Sequence, residues 1–218
     1  MIDHTVLAPT TTAAALRAVC DEAVEWGFAA VCVPPYHVRD AGSILAGQAP
    51  AVATVIGFPF GYSHFTAKAA EAAQAIADGA DEIDMVINLA ALRANDKAWL
   101  ESEIDAVVKV TEGKAILKLI IESGILSHAE IVACCALYQH YPVDFLKTST
   151  GYAASGASVE AVALMRQHLP DRIRIKASGG IRDHVFAQQL VDAGAARLGC
   201  SASVAIVKGE AASGPGGY

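Results

Sequence analysis

Positive charge is scarce in this chain. Its 218 residues carry sixteen Lys and Arg against twenty-three Asp and Glu, for a net charge of −7, and the basic residues form no run. A nucleic-acid-binding face needs a concentrated basic patch, so that class of function is excluded. Any anion held here must be small and locally bound. Aromatic residues are also few, at 6%, which leaves packing of helices on strands through small aliphatic side chains as the way to fill a core. The five cysteines (Cys20, Cys32, Cys134, Cys135, Cys200) are an odd number without CxxC spacing. They do not make a disulfide framework and read as reduced thiols. The opening residues Met1-Ile2-Asp3-His4 have neither a cationic nor an apolar leader region, so a cytoplasmic location is expected. The longest uncharged stretch, 41–67, contains Gln48, Pro50, Pro59 and His64 and does not read as a membrane helix.

Apolar side chains are abundant instead: 54% of residues are hydrophobic and 18% charged, enough to build a folded core. Short β-branched runs alternate with longer Ala-rich amphipathic stretches, and the alternation repeats eight times. The strands are expected at 3–7, 29–33, 51–56, 82–87, 115–121, 145–147, 172–176 and 196–198. Thr10-Thr11-Thr12 offers N-caps for the first helix, and Gly27, Gly79 and Gly194 offer C-terminal stops. The strands are continuous apolar runs, as parallel strands covered on both faces should be. The expected fold is therefore a single (β/α)8 barrel of the TIM type over 1–208, followed by a flexible tail over 209–218. A doubly wound open sheet is the alternative.

Three of the eight lysines interrupt strands that are otherwise apolar: Lys118, Lys147 and Lys176. An ammonium in a barrel interior must be paired or lose its proton. Lys147 and Lys176 are expected to close their strands, at the barrel end where active sites lie. Mutual repulsion and burial both favour a neutral amine, and a neutral lysine can attack a carbonyl and form an iminium that draws electrons from a breaking carbon–carbon bond. Asp84, inside the apolar run 82–87, is the expected proton-transfer carboxylate, and Asp3 is a second partner for Lys176. Asp81 and Glu82 are expected to be solvated. No HxH or HExxH array is present, and no metal or cofactor is expected. Three donor-rich loops follow the last three strands: Thr148-Ser149-Thr150-Gly151, Ser178-Gly179-Gly180-Ile181-Arg182 and Gly199-Cys200-Ser201. Together they suit a phosphate group.

The segments Asp3-His4-Thr5, Glu82 to Asn88, Leu117 to Glu122, Phe145-Leu146-Lys147-Thr148-Ser149-Thr150-Gly151 and Ile175 to Arg182 resemble those of deoxyribose-phosphate aldolases, class I aldolases on a TIM barrel. The resemblance implies reversible cleavage of 2-deoxy-D-ribose 5-phosphate to acetaldehyde and D-glyceraldehyde 3-phosphate. It implies Lys147 as the Schiff-base lysine, Lys176 as its pKa-lowering neighbour and Asp84 as proton carrier. Asp3, Thr5 and Lys118 would line the site. Thr148, Gly151, Gly179, Gly180, Arg182, Gly199 and Ser201 would face the substrate and its phosphate, and Tyr218 would match a C-terminal tyrosine that assists proton exchange. Ala8 and Ala202 depart from the family pattern. Partners implied are small aldehydes and sugar phosphates, with a homodimer or homotetramer possible and no nucleic acid or membrane. A transaldolase-like enzyme and a catalytically silent sugar-phosphate binder are the competing readings. Cys32 falls near the site, either packed inertly or open to alkylation by unsaturated aldehydes.

Overall fold

The computed structural model describes residues 1–210; Tyr218 and most of the expected tail lie outside the described residues. Eight strands pair in parallel and in sequence order: β1 (Ile2–Thr5), β2 (Ala30–Val33), β3 (Ala51–Ile56), β4 (Glu82–Val86), β5 (Ile116–Ile120), β6 (Phe145–Lys147), β7 (Arg174–Ser178) and β8 (Arg197–Cys200). β8 pairs back onto β1 through Ile2 with Leu198 and Asp3 with Gly199. That closure makes a barrel and excludes the open doubly wound sheet.

The crossovers are helical, as parallel pairing requires. Among the described residues they are α1 (Ala13–Glu25), α2 (Val38–Ile44), α3 (Phe65–Ala77), α4 (Leu89–Arg93), α5 (Lys97–Thr111), α6 (His128–Tyr138), α7 (Val159–His168), α8 (His184–Asp192) and α9 (Ser203–Lys208). Local chemistry sets their ends. The Thr12 hydroxyl caps α1 by accepting from the Ala15 N–H, and Ser127 and Glu130 form a reciprocal capping box on α6. Gly79 and Gly194, at φ +103° and +114°, turn the chain out of α3 and α8 into the next strand, a conformation that favours glycine.

Successive strand residues alternate between two environments. One set, including Ile83, Met85, Leu117, Leu119, Leu146, Ile175 and Leu198, packs outward under the helices in the main apolar core. The other set points into the barrel. On the β1–β3 side that interior is small and apolar, with Leu7, Ala30, Cys32, Ala53 and Val55. On the β4–β8 side, joined by Asp3 of β1, it is charged.

The strand limits differ from expectation by up to two residues. Lys147 does end β6, but β7 starts and finishes later than the sequence suggests and runs on to Ser178, so Lys176 lies two residues inside its end. Pairing with β6 and β8, which places Lys147 opposite Lys176, fixes that limit.

Candidate active site

Period-two alternation brings Asp3, Glu82, Asp84, Lys118, Lys147, Lys176 and Arg197 into the barrel. Asp84 sits at the centre of the group. Its Oδ1 accepts from Lys118 Nζ at 2.6 Å, and its Oδ2 accepts from both Lys147 Nζ and Lys176 Nζ at 2.8 Å. The amines of Lys147 and Lys176 therefore meet on a single oxygen. Asp3 Oδ2 lies 2.5 Å from Lys176 Nζ and 3.8 Å from Lys118 Nζ, while its Oδ1 accepts from Arg197 at 2.5 Å. Lys118 also pairs with Glu82 at 2.6 Å.

Glu82 corrects the expectation that it is solvated: it is 2% exposed and faces inward. Asp84 lies two residues further along the same strand, hence on the same face; that spacing was the available signal. Arg197 went unnoticed because it begins a strand, where a charge usually marks the solvent boundary. Both belong to the floor of the network, where the Phe145 ring lies 4.0 Å from the guanidinium of Arg174 and 5.5 Å from that of Arg197.

The group contains four basic side chains and three carboxylates, so it is electrically balanced when one base is neutral. Burial by itself would raise the Asp84 carboxyl, but Lys118, Lys147 and Lys176 hold it well below the usual range. Asp3 is likewise pulled down to about 2, with Lys176, Lys118 and Arg197 outweighing burial. Burial works against a charged Lys176, yet Asp3 and Asp84 raise it well above its ordinary value. Lys118 is raised in the same way, chiefly through Asp84. Lys147 alone among the three moves down: burial is the main cause, Asp84 opposes it and Lys176 adds to it. Lys147 is therefore the base of the network on which the neutral form is most favoured. It is 1% exposed, so its lone pair is not solvated by bulk water.

Beside the network, at the C-terminal end of the barrel, Gly151, Gly179, Gly180, Arg182, Gly199 and Ser201 line a small, partly open cavity with Ile181 and Cys200. Gly151, Gly179 and Gly180 have φ of +89°, +87° and +77°. A Cβ on Gly179 would come within 3.0 Å of the Gly156 Cα, so backbone approaches backbone there. Gly199 joins the cavity to the charged interior, since a Cβ on it would lie 3.0 Å from Lys176 Cε.

Two sequence-predicted residues do not line this cavity. The Thr148 hydroxyl donates to the Ser178 carbonyl and accepts from the Ser178 N–H, tying β6 to β7. The Thr5 hydroxyl donates to the Asp3 carbonyl. Ala202 precedes α9 and provides no side-chain cap. Cys32 is fully buried within the small apolar cluster, and burial pushes its thiol up to about 11, so the inert reading describes it. Among the described residues, no three His, Cys, Asp or Glu side chains are grouped to hold a metal ion, and no helix is long and apolar enough to cross a membrane.

Comparison with known proteins gives a consistent result. A profile described as DeoC/LacD family aldolase matches residues 1–209. Deoxyribose-phosphate aldolase 1 of Cutibacterium acnes is 50% identical over 212 residues, covering 97% of each chain. A deoxyribose-phosphate aldolase of Listeria monocytogenes is 46% identical over 218 residues, covering 100% of this chain and 98% of the relative. Among solved structures, one from Coccidioides immitis described as a putative deoxyribose-phosphate aldolase superposes with a TM-score of 0.92 at 42% identity, covering 95% of this chain and 83% of that one. The tetrameric deoxyribose phosphate aldolase of Aeropyrum pernix gives a TM-score of 0.88 at 27% identity, covering 95% and 88%.

Proposed function

This chain belongs to the DeoC/LacD family of aldolases, and from that premise we propose that it is a deoxyribose-phosphate aldolase that works through a Schiff base on Lys147. It reversibly cleaves 2-deoxy-D-ribose 5-phosphate to acetaldehyde and D-glyceraldehyde 3-phosphate. The observation that carries the assignment of the nucleophile is the charge balance of the interior: of the four bases that face it, Lys147 is the one driven toward its neutral form.

The steps follow from that balance. The Lys147 lone pair adds to the C1 aldehyde of the open-chain sugar, and loss of water leaves an iminium. Lys176, held as an ammonium 2.8 Å from the Asp84 carboxylate, is placed to supply the proton that departs with the water. Removal of the C3 hydroxyl proton then breaks the C2–C3 bond. Its electron pair moves into the iminium to give an enamine, and glyceraldehyde 3-phosphate leaves. Protonation at C2 and hydrolysis release acetaldehyde and restore the amine. Asp84, bonded to both lysines, is the group through which protons pass between them, directly or by water. The glycine-lined cavity receives the phosphate, with Arg182 supplying positive charge and the backbone close approach.

A binding protein would have no use for a surplus base in its interior, which disfavours the silent alternative. Trapping with acetaldehyde as sole donor separates this reading from a transaldolase-like one. All five thiols are free and buried, in keeping with a cytoplasmic location, and the Aeropyrum pernix relative makes a homo-oligomer the expected assembly. The deciding experiment is incubation with acetaldehyde and borohydride followed by peptide mass spectrometry. An ethyl group on Lys147 is expected; modification of a different lysine, or of none, would overturn the assignment.

A further inference from the structure

Glu122 follows β5 at the mouth of the barrel in a conformation that a glutamate rarely adopts, with φ and ψ of 54° and 53°. Asn95 is the other non-glycine residue at positive φ among those described. Such backbone strain persists where surrounding contacts over-determine it, and it gathers at functional sites. Glu122 is also 3% exposed, and its carboxylate makes no ion pair with a basic group of the described residues, although Lys147 lies near enough to act on it electrostatically. It is not hydrogen-bonded to the charged network, and the chemistry derived above assigns it no step.

Its hydrogen bonds show what holds it. The carboxylate accepts from the Thr150 hydroxyl at 2.5 Å and from the Thr150 N–H at 3.2 and 3.3 Å. The Thr150 oxygen accepts in turn from the Tyr152 N–H at 3.0 Å. At the far end the Tyr152 hydroxyl donates to the Leu7 carbonyl at 2.9 Å, and its ring stands edge-on to Phe58 at 5.5 Å. The segment from Thr150 to Tyr152 is therefore a strap across the mouth, pinned by Glu122 on the β5 side and by Leu7 and Phe58 on the β1 and β3 side. Its middle residue, Gly151, lines the cavity, and the nucleophile lies three residues before its first pin.

We propose that Glu122 is a positioning residue for phosphate recognition: by anchoring Thr150 it fixes Gly151 in the wall of the cavity and so favours phosphorylated substrates. This rests on the cavity being the phosphate site. A neutral anchor would not serve as well, because a buried carboxylate accepting from two donors, one of them shared between its oxygens, binds them more strongly than an amide does. A glutamine also presents an N–H2 where two donors already converge.

The test compares cleavage of 2-deoxyribose 5-phosphate with that of unphosphorylated 2-deoxyribose. In Glu122→Gln the ratio of the two kcat/KM values should fall about tenfold, the effect of one charge-assisted hydrogen bond, and the fall should lie in KM for the phosphorylated sugar. Thr150→Val, a near-isosteric change that removes the same bond, should lower the ratio equally, and Thr150→Ser should restore it. If Glu122→Gln does not fold, the Thr150 pair decides the matter. A ratio that stays constant, whether both activities drop together or neither drops, overturns the proposal, because a merely structural role would affect both sugars alike. Borohydride trapping of acetaldehyde separates this from the parent reading. Trapping on Lys147 with an unmoved ratio rejects the role of Glu122, whereas no trapping in the unaltered protein rejects the aldolase mechanism itself.

Discussion

The molecule buries lysine in two places, and they differ in how the charge is satisfied. Outside the barrel, Lys68 of α3 is fully buried between the sheet and the helix layer. Its three ammonium protons have three acceptors: the Gly61 carbonyl at 2.6 Å, the Val86 carbonyl at 2.7 Å and the Glu103 carboxylate at 2.6 Å. The other Glu103 oxygen accepts from the Asn88 N–H at 2.9 Å. Burial pushes Lys68 down and Glu103 up, each against the pull of the other. One cation is hydrogen-bonded to one anion, with the negative charge of Glu71 also nearby, and the pair fastens the turn after β3 to the end of β4. Inside the barrel, four bases face three carboxylates. Depth of burial is thus no guide to function; an unmatched charge is. A matched buried pair costs about as much in desolvation as it returns, while a surplus base is pushed toward giving up its proton.

This contrast can be broken most decisively at Lys147. Lys147→Leu should abolish cleavage of 2-deoxyribose 5-phosphate while leaving the urea midpoint at or above that of the parent, because Asp84 keeps Lys118 and Lys176 as partners. Residual turnover, or a large loss of stability, would show that the amine is structural. Lys68→Met should behave in the opposite way. It leaves Glu103 buried and unpaired and should cost about 3–5 kcal/mol of stability, read from the same midpoint, and adding Glu103→Met should recover most of it. A loss below about 1 kcal/mol would place the pair among weak surface bridges and erase the distinction.

A subtler change sharpens the comparison. In Lys176→Leu the interior would hold three bases and three carboxylates, so the surplus positive charge that favours a neutral Lys147 disappears. The sign follows directly: removing a nearby positive charge raises the pKa of Lys147. The pH at which the free amine appears then moves up, and the acid limb of the kcat/KM profile should shift upward by about one to three pH units. An unchanged limb would mean that burial alone sets the state of Lys147.

The barrel was legible because its strands are covered on both faces and so read as unbroken apolar runs, each separated from the next by a helix-length segment. Strand limits were less legible, since pairing with neighbours sets them: β7 reaches Ser178 only because β6 and β8 lie beside it. Lys118, Lys147, Lys176 and Asp84 stood out as charges within apolar runs. Glu82 and Arg197 sit at strand starts, where the same residue types are commonly solvated, and Lys68 and Glu103 lie on helices whose polar residues usually face water. Glu122 was legible only as part of a family segment, because its role depends on a left-handed turn and on a threonine twenty-eight residues away.

Gly199 lies in the wall between the cavity and the charged interior. A single added methyl group there would meet both Lys176 Cε and Ser178 Cβ at 3.0 Å. A side chain at this position would press on Lys176, so substrate selectivity and proton inventory are not independently adjustable there. Any mutational search that widens or recharges the cavity must hold residue 199 constant, or it will retune the amine while appearing only to reshape the pocket.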